Sequence, residues 1–441
     1  MTSLFNSKFF VVFFAPFLLG GLTVLGFTPY NLTFINFFTF SVLLFLISEV
    51  RKRTKSKYRK KISNRYFFFT GCAYGFGFFL FGNYWISISL THDDAFVGLI
   101  PFTVILIPLF LSLFFGFAIL IVGNFADKKI SFILLFSLIF SLFEFLRGNI
   151  LTGFPWNLIA YTWSWSTNTL QILSLIGTYS LSLVSITFFC IPFLFFKKKI
   201  TKHSIIFSLI FLIIFVGNYI FGTYKSNNIK YKFDSNISIK IISPNFTLKD
   251  YNTTSEKSQL EKLIRISDAD KKKNTLFIWP EGIFYESRLD EIKKYKSLFS
   301  KNFSDKHLIA LGINNFAFDN ETKKERYFNS LVILNHNLEI LSVYNKINLV
   351  PFGEFLPFEK TLSKVGFKKI TRGYNSFSSG NLREVIYLGE KFSNKSVLPL
   401  ICYEIIYSGK INRNNQNFDF IINISEDGWF GDTVGPYQHF S

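Results

Sequence analysis

The stretch FVGLIPFTVILIPLFLSLFFGFAILIVG, residues 96–123, contains no charged side chain. It is one of several apolar stretches that indicate the fold class of the first half of this chain. A helix that crosses the hydrocarbon core of a bilayer needs about 20 mostly apolar residues. The part before residue 225 holds six more such stretches, at 8–27, 30–48, 66–90, 130–147, 168–196 and 204–224. Buried helices of a soluble protein do not explain them, because they offer too few polar faces to water. The sequence therefore predicts a polytopic α-helical membrane domain of about seven transmembrane helices over residues 1–224.

Composition excludes several other classes of protein. Of the 441 residues, 49% are hydrophobic and 17% are charged, whereas soluble domains carry about 25% charged residues. Disorder requires low hydrophobicity and much charge, so the chain is not intrinsically disordered. Three cysteines are too few to build a disulfide scaffold of this length.

The charge pattern predicts how the membrane domain is oriented. The net charge is +19, and residues 51–65 alone contain nine Lys and Arg between two apolar stretches. The loops after the fourth and sixth stretches are also basic, whereas the intervening loops are nearly free of Lys and Arg. By the positive-inside rule, the N-terminus is expected in the cytoplasm and residues 225–441 outside it. A basic arm that binds nucleic-acid phosphates is the alternative interpretation, but this context favours a membrane loop, so we expect no nucleic-acid partner.

One loop of the membrane half carries polar and aromatic residues that an anchor does not need. Glu144 and Arg147 lie three residues apart on one helix face, where they can pair. The sequence Gly-Phe-Pro-Trp follows at 153–156, and Trp163 and Trp165 come next. These residues fit an interfacial aromatic belt. They also fit a site for a lipid headgroup or acyl chain, in which Arg147 and Trp156 would contact substrate.

From about residue 236 the periodicity changes to short β-branched runs. We predict strands at 237–242, 276–279, 308–311, 330–334, 397–401 and 420–424, and a helix at 255–266. Continuous apolar strands indicate a sheet buried on both faces, and hence an α/β sandwich. There is no glycine-rich phosphate loop and no His or Cys spacing typical of a metal site. We therefore expect neither cofactor nor metal.

Reactive side chains directly follow two of the predicted strands. Glu281 ends LFIWPE, and Cys402 follows VLPLI. Ligands and catalytic groups gather at strand ends in open α/β sheets, and a turn into a helix N-terminus would lower the pKa of a thiol. Cys402 has no disulfide partner in residues 225–441, so it is a candidate nucleophile, with an inert buried cysteine as the alternative.

A third stretch, YNKINLVPFGEFLP at 344–357, contains Lys346 and Glu354. Its lysine is flanked by apolar residues and followed by a loop with Pro, Gly and a glutamate. Taken alone, Lys346 fits a surface residue, but this combination of neighbours is unusual for a solvated face and makes Lys346 a candidate functional residue.

Together these motifs resemble the nitrilase (carbon–nitrogen hydrolase) superfamily. They are WPEG with Glu281, YNKINLVPFGEFLP with Lys346, LICYE with Cys402, and NISEDGWFGDTVGPYQH at 423–439. With a multi-span membrane half ahead of them, the chain more narrowly resembles the apolipoprotein N-acyltransferase family. The resemblance implies a nitrilase-like αββα sandwich over residues 225–441 outside the cytoplasm. Members of the family continue beyond the position of Ser441, so we expect this domain to be truncated at its C-terminal end.

The resemblance also implies roles for individual residues. Glu281 would be the base, Lys346 the oxyanion-stabilising cation and Cys402 the nucleophile, with Glu354 holding the lysine. Residues expected to support the site or contact substrate are Tyr403, Glu404, Trp429, Arg147 and Trp156. The sequence departs from the family pattern at Gly282, where a small hydroxyl residue is usual, and at Glu426, where asparagine is expected.

The implied reaction is N-acylation of the diacylglyceryl-cysteine at the N-terminus of an apolipoprotein. A phospholipid would donate the acyl chain through a thioester on Cys402, in the bacterial inner membrane, with the catalytic domain in the periplasm and the N-terminus in the cytoplasm. The expected partners are thus the phospholipid donor, diacylglyceryl-modified apolipoproteins and membrane lipid. One alternative is a membrane-tethered nitrilase-type amidase that transfers to water. The other, a non-enzymatic transporter or scaffold, leaves Glu281, Lys346 and Cys402 unexplained.

Overall fold

The structure is a computed structural model, and it groups the chain into two compact units. It describes residues 7–54, 60–92, 94–126, 130–196, 200–229, 234, 236–246, 250, 253–319, 323–357 and 376–441. The first unit comprises Met1–Thr91, Val97–Lys230 and Asp432–Ser441, and the second comprises His92–Phe96 and Tyr231–Gly431. Parts of the predicted cytoplasmic loops, at 55–59, 127–129 and 197–199, lie outside the described residues.

The first unit is helical, and a helix coincides with each of the seven predicted apolar stretches. These helices are α1 (Ala15–Val24, preceded by the π-helix Phe10–Phe14), α2 (Ile35–Thr54), α3 (Lys60–Asn83), α4 (Ile100–Gly123), α5 (Ile130–Asn149), α6 (Leu173–Phe189) and α7 (Lys202–Asn227). Single-turn helices occur at Asp94–Val97 and Thr167–Leu170, and 3₁₀ turns at Tyr84–His92, Ile159–Trp163 and Ile191–Phe196.

Four helical segments in the described part of the chain are long and apolar enough to cross a membrane. They are Ile100–Gly123, Ile130–Asn149, Leu173–Phe196 and Lys202–Asn227, while Phe10–Val24 is shorter. Helix α2 carries Arg51, Lys52 and Arg53 in its last turn, which shortens its apolar part. The structure thus supports membrane embedding, and the count of seven spans stays a prediction.

Small residues bring the helices of this unit close together. A Cβ on Gly20 would lie 2.0 Å from the carbonyl oxygen of Tyr74, and one on Gly71 would lie 2.3 Å from that of Phe115. Glycine at these positions lets α1, α3 and α4 approach backbone to backbone, as helices in membranes commonly do. Phenylalanine rings fill the remaining space, as where Phe115 stacks on Phe140 with 4.5 Å between ring centroids.

The second unit contains two β-sheets. The strands are β1 (Ile237–Ile241), β2 (Asn274–Ile278), β3 (Phe284–Arg288), β4 (His307–Asp319), β5 (Lys324–Asn335), β6 (Ile340–Asn345), β7 (Ile386–Tyr387), β8 (Ser396–Ile401) and β9 (Phe420–Ile424). The larger sheet has the order β1-β2-β4-β5-β6, with β3 also paired to β4; the smaller sheet is β7-β8-β9. Strands β1, β2 and β4 are parallel, as are β8 and β9, whereas β4, β5 and β6 are antiparallel.

Two apolar cores give this unit its layers. One core lies between the sheets and joins side chains such as Leu276 and Leu331 to Val397 and Ile424. The other lies between the larger sheet and its helices, α8 (Glu256–Ser267) and α9 (Lys296–Asn302), and centres on Trp279. The described residues thus show helix, sheet and sheet, three of the four layers of the expected αββα sandwich.

Further 3₁₀ turns lie at Ile292–Tyr295, Glu390–Phe392, Cys402–Ile406 and Asp427–Phe430. A last helix, α10 (Val434–Phe440), belongs to the first unit.

Candidate active site

Lys346 lies between two carboxylates in the interior of the second unit. It directly follows β6, and its residue is only 1% exposed. Its Nζ lies 3.0 Å from Glu354 Oε1 and 3.5 Å from Glu281 Oε1. A lysine is almost never fully buried unless it is paired, so the two carboxylates explain how this one is accommodated. The prediction that Glu354 holds the lysine agrees with this contact.

An amide that the sequence did not single out joins the same two carboxylates. Asn329, on β5, donates from Nδ2 to Glu281 Oε1 at 2.6 Å and to Glu354 Oε1 at 2.7 Å. The other oxygen of Glu354 accepts a hydrogen bond from the backbone N–H of Val350 at 2.8 Å. The lysine and the amide therefore converge on the same carboxylate oxygens, which fixes both side chains.

The turn that carries Glu281 is shaped by glycine. Gly282 has φ of +72°, a conformation that side-chain-bearing residues rarely adopt, so glycine lets the chain turn here without backbone strain. A Cβ on Gly312, in β4, would lie 2.6 Å from the Cα of Glu281. Glycine at position 312 therefore lets the turn pack directly against β4, whereas glycine at position 282 accommodates the left-handed backbone.

Cys402 lies at the abrupt turn that the sequence predicts. Strand β8 ends at Ile401, and a 3₁₀ turn begins at Cys402, whose φ is +51°. A left-handed conformation at a residue other than glycine is sparsely populated and tends to occur at functional sites. Asn423, on β9, donates from Nδ2 to the Cys402 carbonyl oxygen at 3.3 Å, which holds the turn from the next strand.

The thiol does not have the lowered pKa that a helix N-terminus would give. Burial raises the pKa of Cys402 above its usual value, and the negative charge of Glu281 raises it further. The charge of Lys346 and a hydrogen bond with Ser425 act in the opposite direction and do not offset these effects. The prediction of a lowered pKa was wrong because desolvation outweighs the single 3₁₀ turn that follows the cysteine.

Lys346 itself stays charged. Burial lowers its pKa, but the carboxylates of Glu281 and Glu354 more than offset that effect and hold the pKa well above its ordinary value. The thiol also raises the pKa of the lysine, so Cys402 and Lys346 interact electrostatically. A protonated thiol beside a carboxylate and a permanent cation suits nucleophilic attack on a carbonyl carbon, with proton removal by the carboxylate.

The predicted supporting residues around the cysteine have distinct environments. Glu404 is 1% exposed and accepts hydrogen bonds from backbone N–H groups on both sides of the site. Tyr403 is buried and packs edge-on against Tyr407, with 5.3 Å between ring centroids. Trp429 is half-buried on the turn Asp427–Phe430. Glu426 caps that turn by accepting the N–H of Gly428 at 2.9 Å, which the expected asparagine could also do.

Arg147 and Trp156 make their contacts within the first unit. Arg147 is 2% exposed and donates from Nη1 to the carbonyl oxygens of Phe154 and Trp156, at 2.7 Å and 2.6 Å. The indole N–H of Trp156 donates to Gln438 Oε1 at 3.0 Å, and its ring stacks on His439 at 5.7 Å. Trp156 therefore packs against α10, and substrate contact by Arg147 and Trp156 stays a prediction.

Asn329 and Arg383 are residues of interest that the sequence did not reveal. Arg383 pairs with Glu404 Oε1 at 2.7 Å, and both residues lie far along the chain from their partners. One signal for Asn329 was available. Asparagine is depleted in strands, yet this one stands between two aromatic residues and the apolar run predicted as a strand at 330–334.

Two family models match the chain. The model described as apolipoprotein N-acyltransferase N-terminal domain matches residues 19–191, and the model described as carbon-nitrogen hydrolase matches residues 254–441. The motifs around Glu281, Lys346 and Cys402 all lie within the second match.

Curated relatives align over nearly the whole chain. An apolipoprotein N-acyltransferase of Rickettsia typhi is 33% identical, over 96% of this chain and 81% of that protein. Those of Bradyrhizobium diazoefficiens and Brucella melitensis are 30% and 29% identical, over 95% and 97% of this chain and 78% and 80% of theirs. The solved structure of the NitN amidase from Neterenkonia sp. AN1 is 15% identical with a TM-score of 0.20, over 38% of this chain and 54% of that one.

Proposed function

This chain belongs to the apolipoprotein N-acyltransferase family, and on that premise we propose that it moves an acyl chain from a phospholipid to an apolipoprotein. The acceptor is the amine of the N-terminal diacylglyceryl-cysteine. The observation that carries the proposal is the buried Lys346, which touches Glu281 and Glu354 and interacts electrostatically with the thiol of Cys402.

In the first half of the reaction, Glu281 takes the proton from the Cys402 thiol as Sγ attacks the ester carbonyl of the phospholipid. The carbonyl oxygen becomes an oxyanion, which the charge of Lys346 stabilises. The C–O bond of the ester then breaks, and Glu281 returns the proton to the leaving alcohol. The products are a thioester on Cys402 and a lysophospholipid.

In the second half, the free amine of the acceptor attacks the thioester carbon. Lys346 again faces the oxyanion, and the C–S bond breaks to leave an amide on the acceptor. Glu281 accepts the proton that the amine loses and passes it to the leaving Sγ, so Cys402 regains its thiol. Splitting the transfer into two steps through a covalent intermediate is the usual benefit of nucleophilic catalysis.

Both substrates are anchored in lipid, which gives the membrane helices of the same chain a function. The charge pattern of the loops supports placing the N-terminus in the cytoplasm and the catalytic half in the periplasm. The proposed location is therefore the inner membrane of a bacterium, with membrane phospholipid as donor and diacylglyceryl-modified apolipoproteins as acceptors.

Reconstitution in phospholipid vesicles tests the proposed reaction. A synthetic diacylglyceryl-cysteine peptide should gain one acyl chain on its amine, with one lysophospholipid formed per peptide. Cys402→Ala should abolish both products, whereas the matched control Cys72→Ala, in the membrane half, should keep them. Release of free fatty acid without acylated peptide would show transfer of the acyl chain to water and would overturn the proposed transfer to an apolipoprotein.

A further inference from the structure

A single buried carboxylate connects the backbone near two of the candidate catalytic residues. Glu404 Oε1 accepts hydrogen bonds from the N–H groups of Ile347 and Asn348, both at 3.0 Å. Its Oε2 accepts from the N–H of Ile401, also at 3.0 Å. The first two residues follow Lys346 and the third precedes Cys402, so the position of this carboxylate sets the spacing between the lysine and the cysteine backbones.

Arg383 supplies the cation that this carboxylate needs. Its Nη2 lies 2.7 Å from Glu404 Oε1, and its side chain is 8% exposed while that of Glu404 is 0% exposed. Among the described residues, it is the cation within ion-pair distance of this carboxylate. A buried carboxylate without a counter-charge is costly, and removal of one partner of a buried ion pair is strongly unfavourable.

The other edges of the guanidinium are also engaged. Nε donates to the hydroxyl oxygen of Tyr344 at 3.0 Å, and Nη1 donates to the carbonyl oxygen of Ile411 at 2.9 Å. The Tyr344 hydroxyl in turn donates to Glu404 at 2.8 Å. Burial and the charge of Glu404 raise the pKa of Tyr344, so its hydroxyl stays a donor. Only the planar fork of an arginine reaches all three acceptors.

We infer that Arg383 is a positioning residue for the Lys346–Cys402 pair and acts through Glu404. By neutralising and orienting that carboxylate, Arg383 keeps three backbone N–H groups hydrogen-bonded to the same side chain. The lysine charge and the thiol are thereby held at the spacing that attack requires, and small misplacements of such groups cost about 10²-fold in rate. This inference rests on the proposed function, because it assigns Arg383 a part in forming the thioester.

A double-mutant cycle in the full-length protein tests this role. Cys72 and Cys190 are replaced by alanine, and the rate of thioester formation on Cys402 is measured per folded molecule for Arg383→Met, Glu404→Gln and the double variant. Arg383→Met should slow the reaction by about 10–100-fold. Adding Glu404→Gln should recover part of that loss, because the uncompensated charge is gone. The exposed Arg413→Met serves as the matched control and should keep the original rate.

A second readout separates this inference from the proposed function. Alkylation of Cys402 by iodoacetamide needs no lipid, and its pH profile should change in Arg383→Met and return toward the original in the double variant. If Arg383→Met does not fold, Arg383→Lys provides the test, because lysine keeps the positive charge but lacks the planar guanidinium. The rate of thioester formation in Arg383→Lys should be lower than in the parent protein and higher than in Glu404→Gln. Independent, multiplicative losses in both readouts would overturn the role of Arg383. Absence of any thioester in the parent protein, with coupled alkylation profiles, would instead overturn the proposed function alone.

Discussion

At the residue scale, the site is organised by carboxylates that share one cation and one amide. Lys346 and Asn329 both contact Glu281 and Glu354. The carboxylates keep the lysine charged, and the lysine together with Glu281 acts on the thiol of Cys402. Because the thiol has a raised pKa, it stays protonated at neutral pH and depends on a base to become a nucleophile.

The first prediction separates the roles of Glu281 and Lys346. Glu281→Gln keeps the shape of the side chain but removes the base, so thioester formation should fall by about 10²–10⁴-fold. Lys346→Met removes the charge that faces the oxyanion, at a cost of roughly 3 kcal/mol or about 10²-fold. The measurement pairs the rate of thioester formation with the amount of protein inserted in the membrane. The exposed Glu286→Gln is the control, and unchanged rates in both variants would remove Glu281 and Lys346 from the mechanism.

The second prediction concerns the pH dependence of Cys402 alkylation, on which Glu281→Gln should have the opposite effect to its effect on acylation. In a protein without Cys72 and Cys190, alkylation of Cys402 by iodoacetamide should stay slow at neutral pH and rise in alkaline solution, because the pKa of this thiol is raised. Glu281→Gln removes a charge that raises this pKa, so alkylation should become faster at a given pH even though acylation becomes slower. Lys346→Met removes a charge that lowers the pKa, so alkylation should become slower. Equal profiles in all three proteins would mean that these charges do not act on Cys402.

The sequence could predict the three candidate catalytic side chains but not the residues that hold them in place. Glu281, Lys346 and Cys402 each stand in a short motif directly after or near a strand. Asn329 is 48 residues from Glu281 and 25 from Glu354, and the antiparallel pairing of β5 with β4 and with β6 brings it to them. Arg383 lies in a polar connecting stretch with no local pattern that distinguishes it from a solvated residue.

At the element scale, the loop after α5 is held by the helix itself. Arg147 donates to the carbonyl oxygens of Phe154 and Trp156, and Glu144 accepts the N–H of Ile159 at 3.0 Å. Two buried charged residues one turn apart therefore hold both ends of the segment 154–159. Charged groups inside a membrane domain are costly, and their use here is to fix a loop that packs on α10.

The third prediction follows from these hydrogen bonds. Arg147→Met should destabilise the protein by about 2–4 kcal/mol, because the two carbonyl oxygens lose charge-assisted donors in a buried place. Thermal unfolding in detergent measures the effect, with the exposed Arg53→Met as a matched control. A midpoint for Arg147→Met equal to that of the control would show that the loop is held by other contacts.

Strands were predictable where they are continuous and apolar, and were missed where they are not. Those at 237–242, 397–401 and 420–424 match β1, β8 and β9 to within a residue. No strand is predicted from the sequence at the positions of β3, β6 and β7. β6 alternates little and has exposed residues at Ile340 and Leu341, and β7 is only two residues long. Their pairing partners, which lie elsewhere in the sequence, determine that they are strands.

At the scale of the whole molecule, the family resemblance predicted from four motifs is confirmed. The relative from Rickettsia typhi is 33% identical over 96% of the chain, and the carbon-nitrogen hydrolase model matches residues 254–441. The mixed sheets of the second unit agree with the nitrilase-like α/β prediction. The outer α-layer and the side of the membrane on which this unit lies stay predictions.

The fourth prediction is topological. Because basic loops alternate with loops nearly free of Lys and Arg, residues after 225 should lie outside the cytoplasm. A reporter enzyme that is active only in the periplasm, fused near residue 230, should be active. The same reporter fused after residue 126 should be silent, and a reversed pair of results would place the catalytic half in the cytoplasm.

The most direct test of the central claim is the mass of the covalent intermediate. The purified protein is incubated with a phospholipid carrying one defined, labelled acyl chain, without acceptor peptide, and the peptide that contains Cys402 is then analysed by mass spectrometry. That peptide should gain the mass of one acyl chain, hydroxylamine should remove it, and a diacylglyceryl-cysteine peptide should take it up as an amide. Label that persists in Cys402→Ala, or that resists hydroxylamine, would contradict a thioester on Cys402.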